Sequence, residues 1–166
     1  NPSLGLSIKE GIKKSTGNVL IVMDADFNHS PKDLKKMISL YNQNDYDLIC
    51  GSRFLKGGFS TTHFRHYCSK IFNLFVNFIT GGKISDNMSG FFIIKKSLLN
   101  KMLDKIFYGY GDFYIRLLFY MQKKNLRIHE VPVRYGPRRF GQSKTKFVKI
   151  LILYSFETIK LVFKNL

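Results

Sequence analysis

Val19-Leu20-Ile21-Val22-Met23-Asp24-Ala25-Asp26 is the stretch on which the fold turns. Its five leading residues are apolar and β-branched in the main, the composition of a strand over 18–23 that is buried on both faces. Two carboxylates follow, one residue apart, where that strand emerges. In open α/β sheets ligands bind outside the carboxyl ends of the strands. Paired carboxylates there suit a hard divalent cation that carries substrate phosphates. On an extended segment Asp24 and Asp26 point opposite ways, one toward a ribose or base and the other toward metal and diphosphate. A solvated turn is the plainer reading of the same triplet.

Working outward, Asn1 caps and Pro2 starts an expected first helix, with Leu4, Ile8 and Ile12 on one face and Gly17 at its end. Ser30-Pro31 opens a second, with Leu34, Met37, Ile38 and Tyr41 inward. Asp47-Leu48-Ile49-Cys50-Gly51 reads as another short buried strand. Helix, strand, helix and strand at this spacing predict an α/β fold with right-handed crossovers and a mostly parallel sheet. A loop over 52–62 contains Gly57-Gly58. A helix follows over about 64–79, with Phe64, Cys68, Ile71, Phe72, Phe75 and Ile79 at helical spacing. Gly81-Gly82 breaks it. Residues 90–94 read as a strand, and 97–105 and 112–124 as helices. Arg127 to Tyr135 is a strand that Pro132 marks as an edge. The apolar stretch 145–166, interrupted by Lys149, Glu157 and Lys160, is a helix that packs on the domain, lies in a membrane interface or leads to something beyond. The expected organisation is one α/β domain over 1–147 and a C-terminal amphipathic helix over 148–166.

Composition narrows the classes. The chain has 166 residues, 45% hydrophobic and 23% charged, which suits one folded domain and excludes a disordered one. Lys and Arg number 27 against 11 Asp and Glu, a formal charge of +16 that attracts phosphates, nucleic acid or anionic lipid. No nucleic-acid recognition signature accompanies it, and a solvated basic surface explains the same count. Cys50 and Cys68 lie in apolar surroundings without metal-ligand spacing and read as buried thiols of a reducing compartment. No secretory signal and no run of 18 uncharged apolar residues is present. The chain starts without an initiator Met, so a missing N-terminal piece of the domain is expected.

Further constellations gather around the carboxylates. Arg53 follows Gly51-Ser52 at the end of the second strand, on the same sheet edge. Arg65 and Ser69 sit one helical turn apart and face one way. A guanidinium and a hydroxyl converging with Arg53 make a phosphate cradle; scattered surface arginines are the alternative. Arg138-Arg139-Phe140-Gly141-Gln142-Ser143-Lys144 is a basic loop suited to a diphosphate or a lipid phosphate. Asp86-Asn87-Met88-Ser89-Gly90 and Gly109-Tyr110-Gly111-Asp112 read equally as backbone near a ligand or as ordinary turns, with a helix cap at Asp112.

The ordered series resembles the family-2 glycosyltransferases, and within them the dolichol- or polyprenol-phosphate mannose synthases. It runs from Gly11-Ile12 through Asp24-Ala25-Asp26, His29 and Pro31 to Gly51-Ser52-Arg53, Gly57-Gly58, Arg65 and Ser69. It continues through Asp86, Ser89-Gly90-Phe91, Glu130-Val131-Pro132-Val133, Arg138, Gly141, Ser143 and Lys144. The resemblance implies a GT-A fold, Mg²⁺ or Mn²⁺, and a nucleotide-sugar donor such as GDP-mannose. It implies Asp24 on the nucleotide and Asp26 on the metal, with Asn28 a further ligand. It places Arg53, Arg65 and Ser69 on the acceptor phosphate, and Arg138 and Lys144 on the phosphates at the reacting centre. The first strands of the family, with their Pro-x-Tyr-Asn-Glu-like motif, have no counterpart here, which implies a truncated domain that binds nucleotide poorly alone.

Two departures bear on the acceptor. Phe92 stands where these synthases carry Arg after Ser-Gly-Phe, and Phe113, Tyr114 and Arg116 replace their Phe-Gln-x-Glu. The acidic residue is Asp112, placed like the catalytic base of other family-2 enzymes. The expected reaction is inverting hexosyl transfer. A lipid monophosphate acceptor, with its second pKa near 6, needs cationic orientation and no base; a glycan hydroxyl needs a base, for which Asp112 is the candidate. The enzyme would work peripherally at the cytoplasmic face of a membrane, with no nucleic-acid partner. A non-catalytic basic domain docking on anionic membrane or nucleic acid is the reading from another class.

Overall fold

The computed structural model describes residues 3–26, 28–60, 63–136 and 147–165. In chain order they form α1 (Leu4–Lys14), β1 (Val19–Val22), α2 (Pro31–Gln43), β2 (Leu48–Ser52), β3 (Phe59–Ser60) and α3 (His63–Thr80). Then come β4 (Phe92–Lys95), α4 (Lys96–Leu99), α5 (Leu103–Ile106), α6 (Phe113–Lys123), β5 (Ile128–Pro132), β6 (Arg134–Tyr135) and α7 (Phe147–Phe163). α1 begins two residues later than expected: Ser3 is its cap, and its hydroxyl accepts from the Leu6 N–H. Ser30 caps α2 in the same way, with Pro31 at the first helical position.

The main sheet has the order β1-β4-β2-β5. β4 pairs antiparallel with β1 on one side and with β2 on the other. β5 pairs parallel with β2. Thus β1, β2 and β5 share one direction, as expected, but β4 lies reversed between two of them and the sheet is mixed. β5 is an edge strand, which is where Pro132 can sit without breaking a ladder. Residues 127–135 do not form one strand: β6 leaves the main sheet and pairs parallel with β3 in a small second sheet.

Register decides which side chains meet. Leu20 and Leu48 both pair with Ile94, and Ile21 and Ile49 with Ile93. Leu20, Leu48, Cys50, Phe92 and Ile94 face α1, α4, α5 and α6, where Ile12, Leu99, Ile106, Leu117 and Leu118 complete one core. Ile49, Phe91, Ile93 and Val131 pack on Met37 of α2 on the other face. A third cluster joins α3, α6 and α7 through Phe72, Val76, Ile115 and Tyr154.

Three burial expectations are corrected. β1 is not buried on both faces: Leu20 is buried, but Val19 and Ile21 are exposed, and among the described residues β1 stands at the other end of the strand order. Ile38 and Leu4 lie outward rather than inward. On α3, Phe64 and Ile71 are exposed while Phe72 and Val76 carry the buried seam. The helix expected over 97–105 is two short ones, α4 and α5.

Phe92 is fully buried at the centre of the sheet, so Phe92→Ala is expected to cost about 3–5 kcal/mol in urea unfolding, transfer and cavity together. Ile21→Ala, at the 42% exposed edge position, is expected to cost less than half of that in the same measurement.

Candidate active site

β1 ends at Val22, and the chain bends at Ala25 and Asp26. Because of that bend the two carboxylates converge on one pair of side chains instead of pointing apart. The Asn28 amide nitrogen donates to Asp26 Oδ2 at 2.8 Å and to the Tyr135 hydroxyl at 2.9 Å. The Tyr135 hydroxyl in turn donates to Asp24 Oδ2 at 3.4 Å. The Asn28 backbone N–H adds a bond to Asp26 Oδ1 at 3.1 Å. Asn28 therefore clamps Asp26 through its nitrogen, and its Oδ1 is buried with no hydrogen-bond partner among the described residues.

His29 closes the bend. Its Nδ1 accepts from the Asp24 N–H at 3.1 Å, which puts the ring proton on Nε2. The ring stacks on Phe91 at 4.5 Å and meets Tyr135 edge-on at 5.3 Å. Burial holds the His29 pKa below its ordinary value, against the pull of Asp24. Burial, with the charge of Asp24 adding to it, raises the Tyr135 phenol.

Arg53 leaves the end of β2 and enters an ion pair that the sequence did not announce. Its Nε and one terminal nitrogen grip Asp86 at 2.7 and 2.8 Å, and its backbone N–H reaches the same carboxylate at 3.0 Å. The Asp86 side chain is fully buried. Burial alone would lower the Arg53 pKa; Asp86 outweighs that and raises it. Asp86 is itself positioned by Glu130 of β5, which accepts from the Ser85 N–H and hydroxyl and from the Asp86 N–H. The Phe54 and Tyr135 rings each lie 5.4 Å from the Arg53 guanidinium carbon. Gly58 shapes the loop above: a Cβ there would collide with the Arg53 carbonyl.

The other expected residues are placed as follows. Arg65 and Ser69 share α3, but Arg65 is exposed and Ser69 buried. The first turns of α3 approach Arg53 through His66, whose ring lies 4.8 Å from Phe54. Arg138 and Lys144, with the rest of their basic loop, lie outside the described residues. Asp112 precedes α6 without capping it through its side chain. Its carboxylate is buried against Arg116 and accepts from the Tyr110 N–H at 2.8 Å. Arg116 also donates to the carbonyls of Ile106 and Tyr108, and Glu157 of α7 lies 3.9 Å away. Gly111 is explained by packing, since a Cβ there would collide with the Tyr154 hydroxyl.

Among the described residues no three His, Cys, Asp or Glu side chains converge as a metal-ligand group. Asp24 and Asp26 still fit a hard cation whose other ligands come from a diphosphate and water, the usual arrangement for Mg²⁺-type sites. His29, Asp86, Glu130 and Tyr135 are residues of this site that the sequence did not assign a role. The first three stand in the ordered series, Asp86 in a segment read either as a turn or as backbone near a ligand; Tyr135 carried no signal.

A mixed sheet with helices on both faces, and a carboxylate pair at the end of its edge strand, defines a GT-A fold. Glucosyl-3-phosphoglycerate synthase from Mycobacterium tuberculosis shares it: the two superpose with a TM-score of 0.68 over 99% of this chain and 55% of that one, at 14% identity. The chain belongs to glycosyl transferase family 2, whose model matches residues 2–103. It is similar to the dolichol-phosphate mannosyltransferase of Pyrococcus furiosus, 33% identical over 86% of this chain and 40% of that protein. It is also similar to the polyprenol monophosphomannose synthase of Mycolicibacterium smegmatis, 29% identical over 76% of this chain and 49% of that one. The chain thus spans about half the length of these relatives or less.

Removing the arginine from the buried pair leaves a carboxylate without its counter-charge. Arg53→Ala is expected to lower unfolding stability by about 3–5 kcal/mol, read from denaturant midpoints. Arg53→Lys, which cannot form the two-pronged contact, is expected to recover only part of it.

Proposed function

We propose that this protein transfers a hexose, mannose from GDP-mannose, to a polyprenyl or dolichyl phosphate with inversion. One observation carries the reading: the carboxylate pair and the anchored guanidinium share a single side chain, Tyr135, whose hydroxyl meets Asp24 and whose ring lies beside Arg53. A site for an anion-bound cation and a site for a phosphate are therefore one tyrosine apart. Similarity to two enzymes named for polyprenol- or dolichol-phosphate mannose transfer supports the choice of sugar and acceptor.

In this reading Asp26 and Asp24 would hold Mg²⁺ or Mn²⁺, which would supply positive charge to the departing diphosphate. Arg53 orients the acceptor phosphate, while Asp86 fixes the guanidinium plane. Arg65 and Ser69 assist from α3, and Arg138 and Lys144 meet the phosphates at the reacting centre. A lipid monophosphate is already anionic near neutral pH, so no general base is required. The engagement of Asp112 by Arg116 favours this acceptor over a glycan hydroxyl, because the carboxylate's oxygens are already committed to Arg116 and the Tyr110 N–H.

In this reading the reaction runs at a membrane surface, proposed to be its cytoplasmic face. α3 exposes Phe64, Tyr67, Ile71, Leu74 and Phe78, spaced three and four apart along one stripe. α7, which packs on α3, exposes Val148, Ile152, Leu153, Phe156 and Phe163. Among the described residues no helix is long and apolar enough to cross a membrane. Two apolar stripes on a chain of charge +16 suit an interface with anionic headgroups.

The test is a donor-by-acceptor assay with GDP-mannose and undecaprenyl phosphate, followed by extraction of labelled lipid-linked sugar. Asp26→Ala is expected to reduce metal-dependent transfer by roughly 100-fold or more. Transfer to a glycan but not to the lipid, lost in Asp112→Asn, would establish the hydroxyl-acceptor reading instead. No transfer at all, with vesicle binding intact, would leave a docking domain. The membrane face is checked by co-sedimentation with phosphatidylglycerol vesicles: Phe78→Glu combined with Phe156→Glu is expected to weaken binding at least about tenfold without lowering Tm.

A further inference from the structure

We propose that Tyr135 is a positioning residue that holds the two carboxylates in their metal-binding arrangement, an inference that rests on reading Asp24 and Asp26 as the cation's ligands. The residue reaches them because β6 is drawn toward the bend after β1. The Gly136 N–H donates to the Asn28 carbonyl at 2.9 Å, and Tyr135 forms an isolated antiparallel bridge with His29. These backbone contacts fix where the phenol stands. Its oxygen then does two jobs at once. It accepts from the Asn28 amide, and it donates to Asp24.

The result is a continuous chain of hydrogen bonds, Asp24–Tyr135–Asn28–Asp26. Two carboxylates held close repel each other, and the chain opposes that repulsion by placing a donor against each. Without the hydroxyl, Asp24 loses its side-chain partner in this chain. The Asn28 nitrogen also loses one of the two acceptors that orient it, so the clamp on Asp26 loosens. Outer-shell partners of this kind commonly change metal affinity by about 10–100-fold. The ring has a separate role beside Arg53, at 5.4 Å, which a phenylalanine would keep.

Tyr135→Phe separates the two roles. Its Mn²⁺ affinity, read by electron paramagnetic resonance of the free aqua ion with GDP present, is expected to fall about tenfold. Tm is expected to stay within about 3 °C of wild type, since the ring and the backbone bridge remain. In the transfer assay KM for GDP-mannose should rise while KM for undecaprenyl phosphate holds. Tyr135→Leu, which also removes the ring from Arg53, should raise both.

An unchanged Mn²⁺ affinity in Tyr135→Phe overturns the inference. So does a fall in affinity that only tracks a fall in Tm, which would make the residue structural. A wild-type protein that binds no Mn²⁺ overturns it together with the metal assignment. The proposed reaction is judged apart from this: if wild type binds Mn²⁺ but makes no lipid-linked sugar, that reaction fails while the affinity comparison still decides the role of Tyr135.

Discussion

Asp86 sits fully buried with a negative charge, and Arg53 is the cation that answers it. A carboxylate removed from water is tolerated only when paired and hydrogen-bonded, and both conditions are met here. The consequence reaches beyond stability. A guanidinium held by two parallel bonds, with the backbone N–H on the same carboxylate, has a fixed plane. Preorganised donors bind without a large ordering cost. Glu130 sets the loop that carries Asp86, and Tyr135 lies against Arg53, so β5, the turn before β4 and the carboxylate bend all refer to this one pair.

Arg116 and Asp112 use the same two residue types to a different end. Here the guanidinium points inward to the carbonyls of Ile106 and Tyr108, and the carboxylate is enclosed. The pair fastens the start of α6 to the segment before it, with Glu157 of α7 nearby. One ion pair thus lies beside the carboxylate bend through Tyr135, and the other ties α6 to the carbonyls before it, although in sequence both are isolated arginines.

Much of this was legible in the residues. The apolar run before Asp24-Ala25-Asp26 announced a strand delivering two carboxylates to a sheet edge, and Gly51-Ser52-Arg53 announced a second strand delivering a cation nearby. What local pattern cannot show is pairing across distance. Phe92-Ile93-Ile94 is apolar on both faces, so it reads as a central strand in either direction, and its reversed placement between β1 and β2 leaves no trace in periodicity. Arg53 and Asp86 are 33 positions apart, and neither says which partner it takes. Tyr135 carries no motif at all; its role appears only when β6 turns back to the bend at Asn28 and His29. Val19 and Ile21 misled because an apolar edge strand and an apolar central strand are spelled alike.

The place of β4 has a consequence for how the molecule comes together. β1 and β2 run side by side in the chain but share no ladder; each is bonded to β4, whose residues follow some forty positions after β2. Until β4 has been made, neither β1 nor β2 has the partner it shares with the other, and the loops between them are still to close. The sheet zips when 92–95 arrive, and only β5 and β6 then supply Glu130 and Tyr135. Assembly runs against the order of synthesis: Asp24 is made early, and Tyr135, whose hydroxyl it accepts from, lies 111 positions later, so the carboxylate bend is completed only after β6 has been made.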